Sequence, residues 1–188
     1  FVGGSLTSET SDAVIDSIHQ SCTIPVVLFP GSATQISLKA DAMLFLSLIS
    51  GRNPDFLIGQ HVISAPFIKK AGIESISTGY MLIESGETTA VEYMSNTRAI
   101  PRAKNSIAVA TAIAGELLGN KLIYLEAGSG AKQVVPPAMI TDVKNSISVP
   151  LMVGGGLRTS EDVKQALQGG ADMVVVGNIL EKDPDRII

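Results

Sequence analysis

The chain has 188 residues, a length that suits one domain, and its 45% hydrophobic and 17% charged residues are typical of a globular protein. A net charge of −4 argues against a nucleic-acid partner, and the single cysteine, Cys22, excludes an internal disulfide framework and favours a reducing, cytoplasmic location. No apolar run approaches the ~20 residues of a membrane span, and no signal-peptide pattern opens the sequence.

Short apolar runs recur along the chain, each followed by a glycine-rich or polar turn and then by a helical pattern. This alternation predicts parallel β/α units. The runs are continuous rather than alternating, as expected for strands that helices cover. The predicted strands are residues 1–4, 25–31, 42–49, 75–84, 122–127, 150–156 and 172–178.

Helical patterns fill most of the intervals between the predicted strands. Thr159 or Ser160 suits the N-cap of the last helix. Residues 85–101 show neither period clearly and are predicted to form a loop or lid. The predicted helices are residues 7–21, 54–72, 102–119, 136–147 and 159–170.

Seven strands with intervening helices predict a modified (β/α)8 TIM barrel in a single domain over residues 1–188. The chain begins FVGG, without methionine and inside a predicted strand, so we expect that the barrel's first strand precedes Phe1. A doubly wound open sheet is the competing architecture. The barrel is favoured because the last two predicted strands both end in glycine, where barrels often build a phosphate site.

Small residues at those two strand ends are candidates for binding phosphate. Glycine lets backbone N–H groups approach a ligand closely, and a helix expected after Asn178 would direct its N-terminus at an anion. Tight βα turns are the alternative explanation. The candidate residues are Gly154, Gly155, Gly156, Gly177 and Asn178.

Glu126 ends an apolar strand at the face where barrel active sites lie. A carboxylate there accepts a proton from a substrate hydroxyl if its pKa and distance suit. Tyr124 shares its face of the strand. The small residues that follow leave space for a substrate: Ala127, Gly128, Ser129 and Gly130. A surface glutamate paired with a lysine, and a tyrosine that only packs, are the alternatives.

The remaining reactive residue types are isolated in the sequence. His19 and His61 are predicted to lie on helix surfaces, and one cysteine does not complete a zinc ligand set. Cys22 is predicted to be a buried thiol. The GxG of Gly128–Gly130 lacks the rest of the dinucleotide fingerprint, so NAD binding is not expected.

The motifs FVGGS, SLISGRNPDFLIG, TGYMLIESG, AIPR, YLEAGSGA, VGGGLRTSED and VVVGN, taken together, resemble the geranylgeranylglyceryl phosphate synthases. This prenyltransferase family includes the bacterial heptaprenylglyceryl phosphate synthases. The resemblance covers essentially the whole chain. Ala127 and Gly128 make it closer to the archaeal-type enzymes than to the heptaprenyl branch, which tends to carry a tyrosine after the glutamate.

The resemblance implies a modified (β/α)8 barrel that uses Mg²⁺ to transfer a prenyl group from a prenyl diphosphate to the C3 hydroxyl of sn-glycerol-1-phosphate. It implies that Tyr124, Leu125, Glu126, Ala127, Gly128, Ser129 and Gly130 form the glycerol-phosphate segment. Glu126 would lie near the accepting hydroxyl, and Gly155, Gly156, Gly177 and Asn178 would contact phosphate. A homo-oligomer with peripheral membrane contact is also expected, and Tyr80 is a candidate for the prenyl groove.

The metal site is where the sequence departs from the family pattern. Ser5 matches a magnesium-binding position, but the family's second ligand, an aspartate on the first strand, is not in this chain. We expect that ligand upstream of Phe1. Two rival functions use a similar phosphate site: a sugar-phosphate lyase or isomerase, and a non-catalytic barrel that binds a phosphorylated ligand.

Overall fold

The computed structural model describes residues 1–4 and 11–179. It contains two compact units, one formed by Phe1–Ser47 with Pro54–Ser77 and the other by Leu48–Asn53 with Thr78–Ile188. Every strand pair with a described register is parallel and joins strands that follow one another in the chain. The predicted β/α alternation is therefore confirmed.

The first unit contains three of the strands and two of the helices. Its elements are β1 (Val2–Gly4), α1 (Asp12–Ser21), β2 (Val27–Pro30), β3 (Ala42–Leu48, with Leu48 in the second unit) and α2 (Gln60–Ala71). β2 pairs with β1 at Phe29 and Gly3, and with β3 at Leu28 and Met43. A 3-10 turn follows β2, and a π-helical turn precedes α2.

Both helices of the first unit bury one apolar stripe against the strands. Ile15 of α1 and Ile68 of α2 are buried in one cluster with Leu28 and Met43 of the strands. Burying a side chain of this size stabilises the fold by about 1.5–3 kcal/mol. Cys22, which follows α1, is only partly buried, in contrast to the prediction.

The predicted surface position of His61 is wrong. His61 is 8% exposed on the inner face of α2, and its ring meets Phe45 edge-on with 4.6 Å between ring centroids. Its Nε2 lies 3.1 Å from the Ser47 hydroxyl. The buried face of α2 is formed by residues 61, 64 and 68, which lie at helical spacing. Because residues 61 and 64 are polar, the apolar pattern of the sequence did not indicate this buried face. His19, in contrast, is exposed, as predicted, and contacts Asp41, which was not predicted.

The buried position of His61 makes the stability of the protein depend on pH. Burial lowers the pKa of His61, an effect that the Leu46 backbone partly opposes. Because the folded pKa lies below the unfolded value of ~6.5, the unfolded chain binds more protons, and stability falls as pH drops below that value. We expect chemical denaturation of His61→Phe to show a weaker fall between pH 7 and 5. Equal profiles for His61→Phe and the wild type would contradict the prediction.

The second unit carries the remaining strands. Its elements are β4 (Glu74–Leu82, with Glu74–Ser77 in the first unit), α3 (Ala90–Ser95), α4 (Asn105–Leu117), β5 (Leu122–Glu126), α5 (Pro137–Lys144), β6 (Leu151–Gly154), α6 (Ser160–Gln168) and β7 (Met173–Val175). β5 lies between β4 and β6, with Tyr124 opposite Tyr80 on one side and Met152 on the other.

The core of the second unit is built from buried apolar residues of the strands and small residues of the helices. Ile123 and Leu125 of β5 are fully buried together with Ala108 and Ala112 of α4. Alanine at these helix positions lets α4 approach the sheet closely. β6 ends two residues earlier than predicted because Gly155 has φ +82°, outside the region that extended strands occupy.

Two helix starts in this unit show how local side chains set the boundaries. Thr159 is the N-cap of α6, as predicted, and forms a reciprocal capping box with Asp162. Residues 85–101, predicted without regular structure, contain the short helix α3, whose N-cap Thr89 makes the same box with Glu92. The spacing T-x-x-E was the signal for α3 that the sequence analysis missed.

Candidate functional site

Glu126 lies at the carboxyl end of β5 and is 7% exposed. The Tyr124 hydroxyl donates a short hydrogen bond to Glu126 Oε2, and the Gly128 backbone N–H donates to Oε1 across 2.7 Å. Tyr80 of β4 packs edge-on against Tyr124 with 5.3 Å between ring centroids. A buried carboxylate is thus held by one donor on each oxygen.

Burial raises the pKa values of both Glu126 and Tyr124. The pKa of Glu126 is raised because burial penalises the charged form more than the bonds from Tyr124 and Gly128 favour it. The pKa of Tyr124 is raised well above 10, first by burial and then by the Glu126 charge. Tyr124 therefore stays protonated and remains a donor. Each Glu126 oxygen keeps a further lone pair for a substrate hydroxyl.

Glycines on β6 and just beyond it make room for this pair. Gly154 lies opposite Glu126 in the sheet, and a Cβ there would overlap the Tyr124 hydroxyl. A Cβ on Gly155 would lie 2.5 Å from Glu126 Oε1 and 2.7 Å from the Ala127 nitrogen. Two of the glycines predicted for phosphate binding are therefore also needed to accommodate the carboxylate, a role that the sequence analysis did not foresee.

The segment after Glu126 forms a tight turn that Asn178 joins from the end of β7. The Ala131 N–H donates to the Gly128 carbonyl across 3.1 Å, and Gly130 has φ +73°. Asn178 Oδ1 accepts from the Gly130 N–H at 2.9 Å and from the Ser129 hydroxyl at 3.1 Å. The structure thus brings together predicted site residues that are about 50 positions apart in the chain. The helix expected after Asn178 falls mainly on residues from 180 onward, outside the described residues.

Two residues near this turn were not predicted from the sequence. Thr89 at the start of α3 lies against Gly128, where any side chain on the glycine would overlap its methyl group. Arg158, which follows the glycine run of β6, donates through Nη2 to the Ala131 carbonyl across 2.6 Å. Gly156 lies under the same carbonyl, since its Cβ would be 3.1 Å from that oxygen. Arg158 lies within the motif VGGGLRTSED, but the sequence analysis assigned it no role.

The predicted magnesium ligand Ser5 lies outside the described residues. Within residues 1–4 and 11–179, the structure shows no group of three or more His, Cys, Asp or Glu side chains that is arranged to hold a metal ion.

The full length of the chain, residues 1–188, matches the model of the PcrB family. The chain belongs to the PcrB family. A geranylgeranylglyceryl phosphate synthase from Spirosoma linguale is 52% identical to this PcrB chain over 187 residues, which are 99% of the chain and 75% of the relative.

Two solved structures are similar to this PcrB chain over nearly its whole length. One is wild-type GGGPS from Thermoplasma volcanium, with a TM-score of 0.91, 36% identity and coverage of 98% of this chain and 74% of that one. The other is the (S)-3-O-geranylgeranylglyceryl phosphate synthase from Thermoplasma acidophilum in complex with sn-glycerol-1-phosphate, with a TM-score of 0.90, 37% identity and coverage of 97% and 74%. The predicted modified (β/α)8 barrel and the family resemblance are confirmed.

Between residues 11 and 179, no helix combines the length and the apolar character that crossing a bilayer requires.

Proposed function

We propose that this chain transfers a geranylgeranyl or related prenyl group from a prenyl diphosphate to the C3 hydroxyl of sn-glycerol-1-phosphate. The observation that carries the proposal is the buried Tyr124–Glu126 pair, which lies beside a turn of small residues at one end of the sheet. Membership of the PcrB family and the related synthase in complex with sn-glycerol-1-phosphate support the same substrate.

Glu126 is the proposed proton acceptor. The C3 hydroxyl donates its proton to the free lone pair of a Glu126 oxygen, while the hydroxyl oxygen forms a bond to the allylic carbon of the donor. The bond between that carbon and the diphosphate oxygen breaks, and the diphosphate leaves with the electron pair. Tyr124 keeps its proton throughout and orients the carboxylate through its bond to Oε2.

The glycine-rich turns are the proposed site for the phosphate of the acceptor. Backbone N–H groups near Gly155, Gly156 and Gly177 would bind phosphate oxygens, together with Asn178. Ser129 and Gly130 already converge on Asn178, so a phosphate there would meet donors from two loops. Fixing the phosphate places the C3 hydroxyl near Glu126 and replaces a bimolecular encounter with a bound geometry.

Magnesium dependence, with Ser5 as one ligand, is a further part of the proposal and is supported by the family resemblance. Mg²⁺ would neutralise the charge of the diphosphate when it is bound. We also propose a cytoplasmic homo-oligomer that contacts membranes peripherally. Leu117 and Leu118, which are 82% and 81% exposed at the end of α4, are compatible with self-association.

Product analysis tests the proposal. The full-length protein, incubated with Mg²⁺, geranylgeranyl diphosphate and each enantiomer of glycerol phosphate, should form a prenyl ether from the sn-1 isomer alone. Mass spectrometry of the extracted lipid measures it. A folded protein that binds sn-glycerol-1-phosphate but forms no ether with any prenyl donor would point to a non-catalytic phosphate-binding barrel instead.

A further inference from the structure

Arg158 holds the turn from Gly128 to Ala131 from outside at two of its carbonyl groups. The Arg158 Nη2 donates to the Ala131 carbonyl at 2.6 Å and approaches the Gly130 carbonyl at 3.4 Å. A guanidinium donates charge-assisted hydrogen bonds, which are stronger than neutral ones. Within the turn itself, a single backbone bond, from Ala131 to Gly128, closes the loop.

Arg158 is itself fixed at the backbone by helix α6. Its N–H donates to Asp162 Oδ2 across 3.0 Å, and the same carboxylate completes the capping box with Thr159. The guanidinium therefore reaches the turn from an anchored position. Its path starts two residues after Gly156, which packs under the Ala131 carbonyl. One carbonyl oxygen thus joins the loop after β5 to the loop after β6.

From these contacts we infer that Arg158 is a positioning residue for acceptor binding, which acts through the carbonyls of Gly130 and Ala131. This inference rests on the proposed function, because it assigns the turn to sn-glycerol-1-phosphate. The loop after β5 belongs to the predicted glycerol-phosphate segment, and the loop after β6 carries predicted phosphate contacts at Gly155 and Gly156. Ser129 and Gly130, the exposed middle of the turn, are otherwise held by Asn178, so without Arg158 part of the cost of ordering them is added to acceptor binding.

The arrangement predicts a specific kinetic pattern. Arg158→Ala should weaken binding of sn-glycerol-1-phosphate by about tenfold, which is the loss of one charge-assisted bond near the surface. The KM for the acceptor should rise in parallel. The kcat at saturating acceptor should stay within about twofold of wild type, because Glu126 is held by Tyr124 and Gly128 and not by Arg158.

The test combines calorimetric titration of the full-length protein with sn-glycerol-1-phosphate and steady-state kinetics. Arg158→Lys should fall between wild type and Arg158→Ala, since lysine keeps a charged donor but its shorter side chain does not reach the position of Nη2. Lys132→Ala is the matched control. It removes an exposed positive charge from the same loop, but the Lys132 ammonium pairs with Glu87 and not with the turn. Its Kd should equal that of the wild type.

Other outcomes would overturn either the role of Arg158 or the proposed function. An unchanged Kd in Arg158→Ala, an equal loss in Lys132→Ala, or a fall in kcat without a change in Kd would overturn the role of Arg158. If Arg158→Ala does not fold in a circular dichroism melt, the Kd of Arg158→Lys decides, and a wild-type value overturns the inference. Failure of the wild-type protein to bind sn-glycerol-1-phosphate would instead remove the proposed function.

Discussion

Replacement of Glu126 by glutamine is expected to lower kcat by about 10²–10⁴-fold, the usual contribution of a positioned general base. The Kd for sn-glycerol-1-phosphate should change by only about threefold, since phosphate contacts dominate acceptor binding in the proposed site. Single-turnover kinetics with saturating donor, together with calorimetric titration, separate the two effects. The expected result is a protein that binds the acceptor but reacts with it very slowly.

Glutamine is the appropriate substitution because the surrounding donors tolerate it. Its amide oxygen can accept from the Gly128 N–H, while its NH₂ group donates to the Tyr124 oxygen, which accepts as well as donates. The side chain keeps its volume in a site that Gly154 and Gly155 leave just large enough. A loss of turnover is therefore attributable to the missing proton acceptor rather than to altered packing.

The pH dependence of the wild-type enzyme should report the same group. Because burial raises the pKa of Glu126 above its usual range, kcat/KM should rise with pH through that raised value and be lost below it. Stability has the opposite sign: ionisation is harder in the folded protein, so the contribution of Glu126 to stability falls as pH rises through the folded pKa. Glu126→Gln should lack this acid limb and be no less stable than wild type at pH 8.

Glu116→Gln is the matched control for these measurements. Glu116 also accepts backbone N–H bonds, from Ser148 and Val149, but it lies at the end of α4 and contacts none of the proposed site residues. It should keep the wild-type rate and acid limb. An active Glu126→Gln, with the acid limb retained, would end the general-base assignment.

The sequence predicted the parts of this site that depend on local pattern. An apolar run that ends in an acid placed Glu126 at the end of β5, and an N-cap residue, Thr159 or Ser160, placed the start of α6. Both features depend on neighbours in the chain. They could be predicted because the apolar run of a strand and the cap of a helix are set by residues that are neighbours in the sequence.

Other features could not be predicted because they arise between distant segments. Gly155 looks like a turn glycine in the sequence, and only the pairing of β5 with β6 places it against Glu126. The burial of His61 on α2 depends on packing against Phe45 of β3. Arg158 is an unremarkable exposed cation until the turn from Gly128 to Ala131 is folded next to it.

Gly155→Ala is the second substitution with a large expected effect. The new Cβ would lie 2.5 Å from Glu126 Oε1 and 2.6 Å from the Gly128 nitrogen, which is the pair of atoms that form the hydrogen bond on one side of the carboxylate. Residue 155 also has φ +82°, which disfavours any side chain. We expect a stability loss of about 2–5 kcal/mol, from backbone strain of about 1–2 kcal/mol and overpacking of about 1–3 kcal/mol.

Activity should fall further than stability alone explains, because the overlap displaces the catalytic carboxylate itself. We expect kcat to drop by at least about 10²-fold in the fraction that remains folded, as measured below the melting transition. Gly119→Ala is the matched control: it has φ +94° but no atom within 4 Å of a new Cβ, so it carries backbone strain without overlap. It should lose about 1–2 kcal/mol and keep its turnover. If Gly155→Ala is as active as Gly119→Ala, the glycine does not serve to make room for Glu126, and its place after β6 must be explained by the turn or by phosphate binding alone.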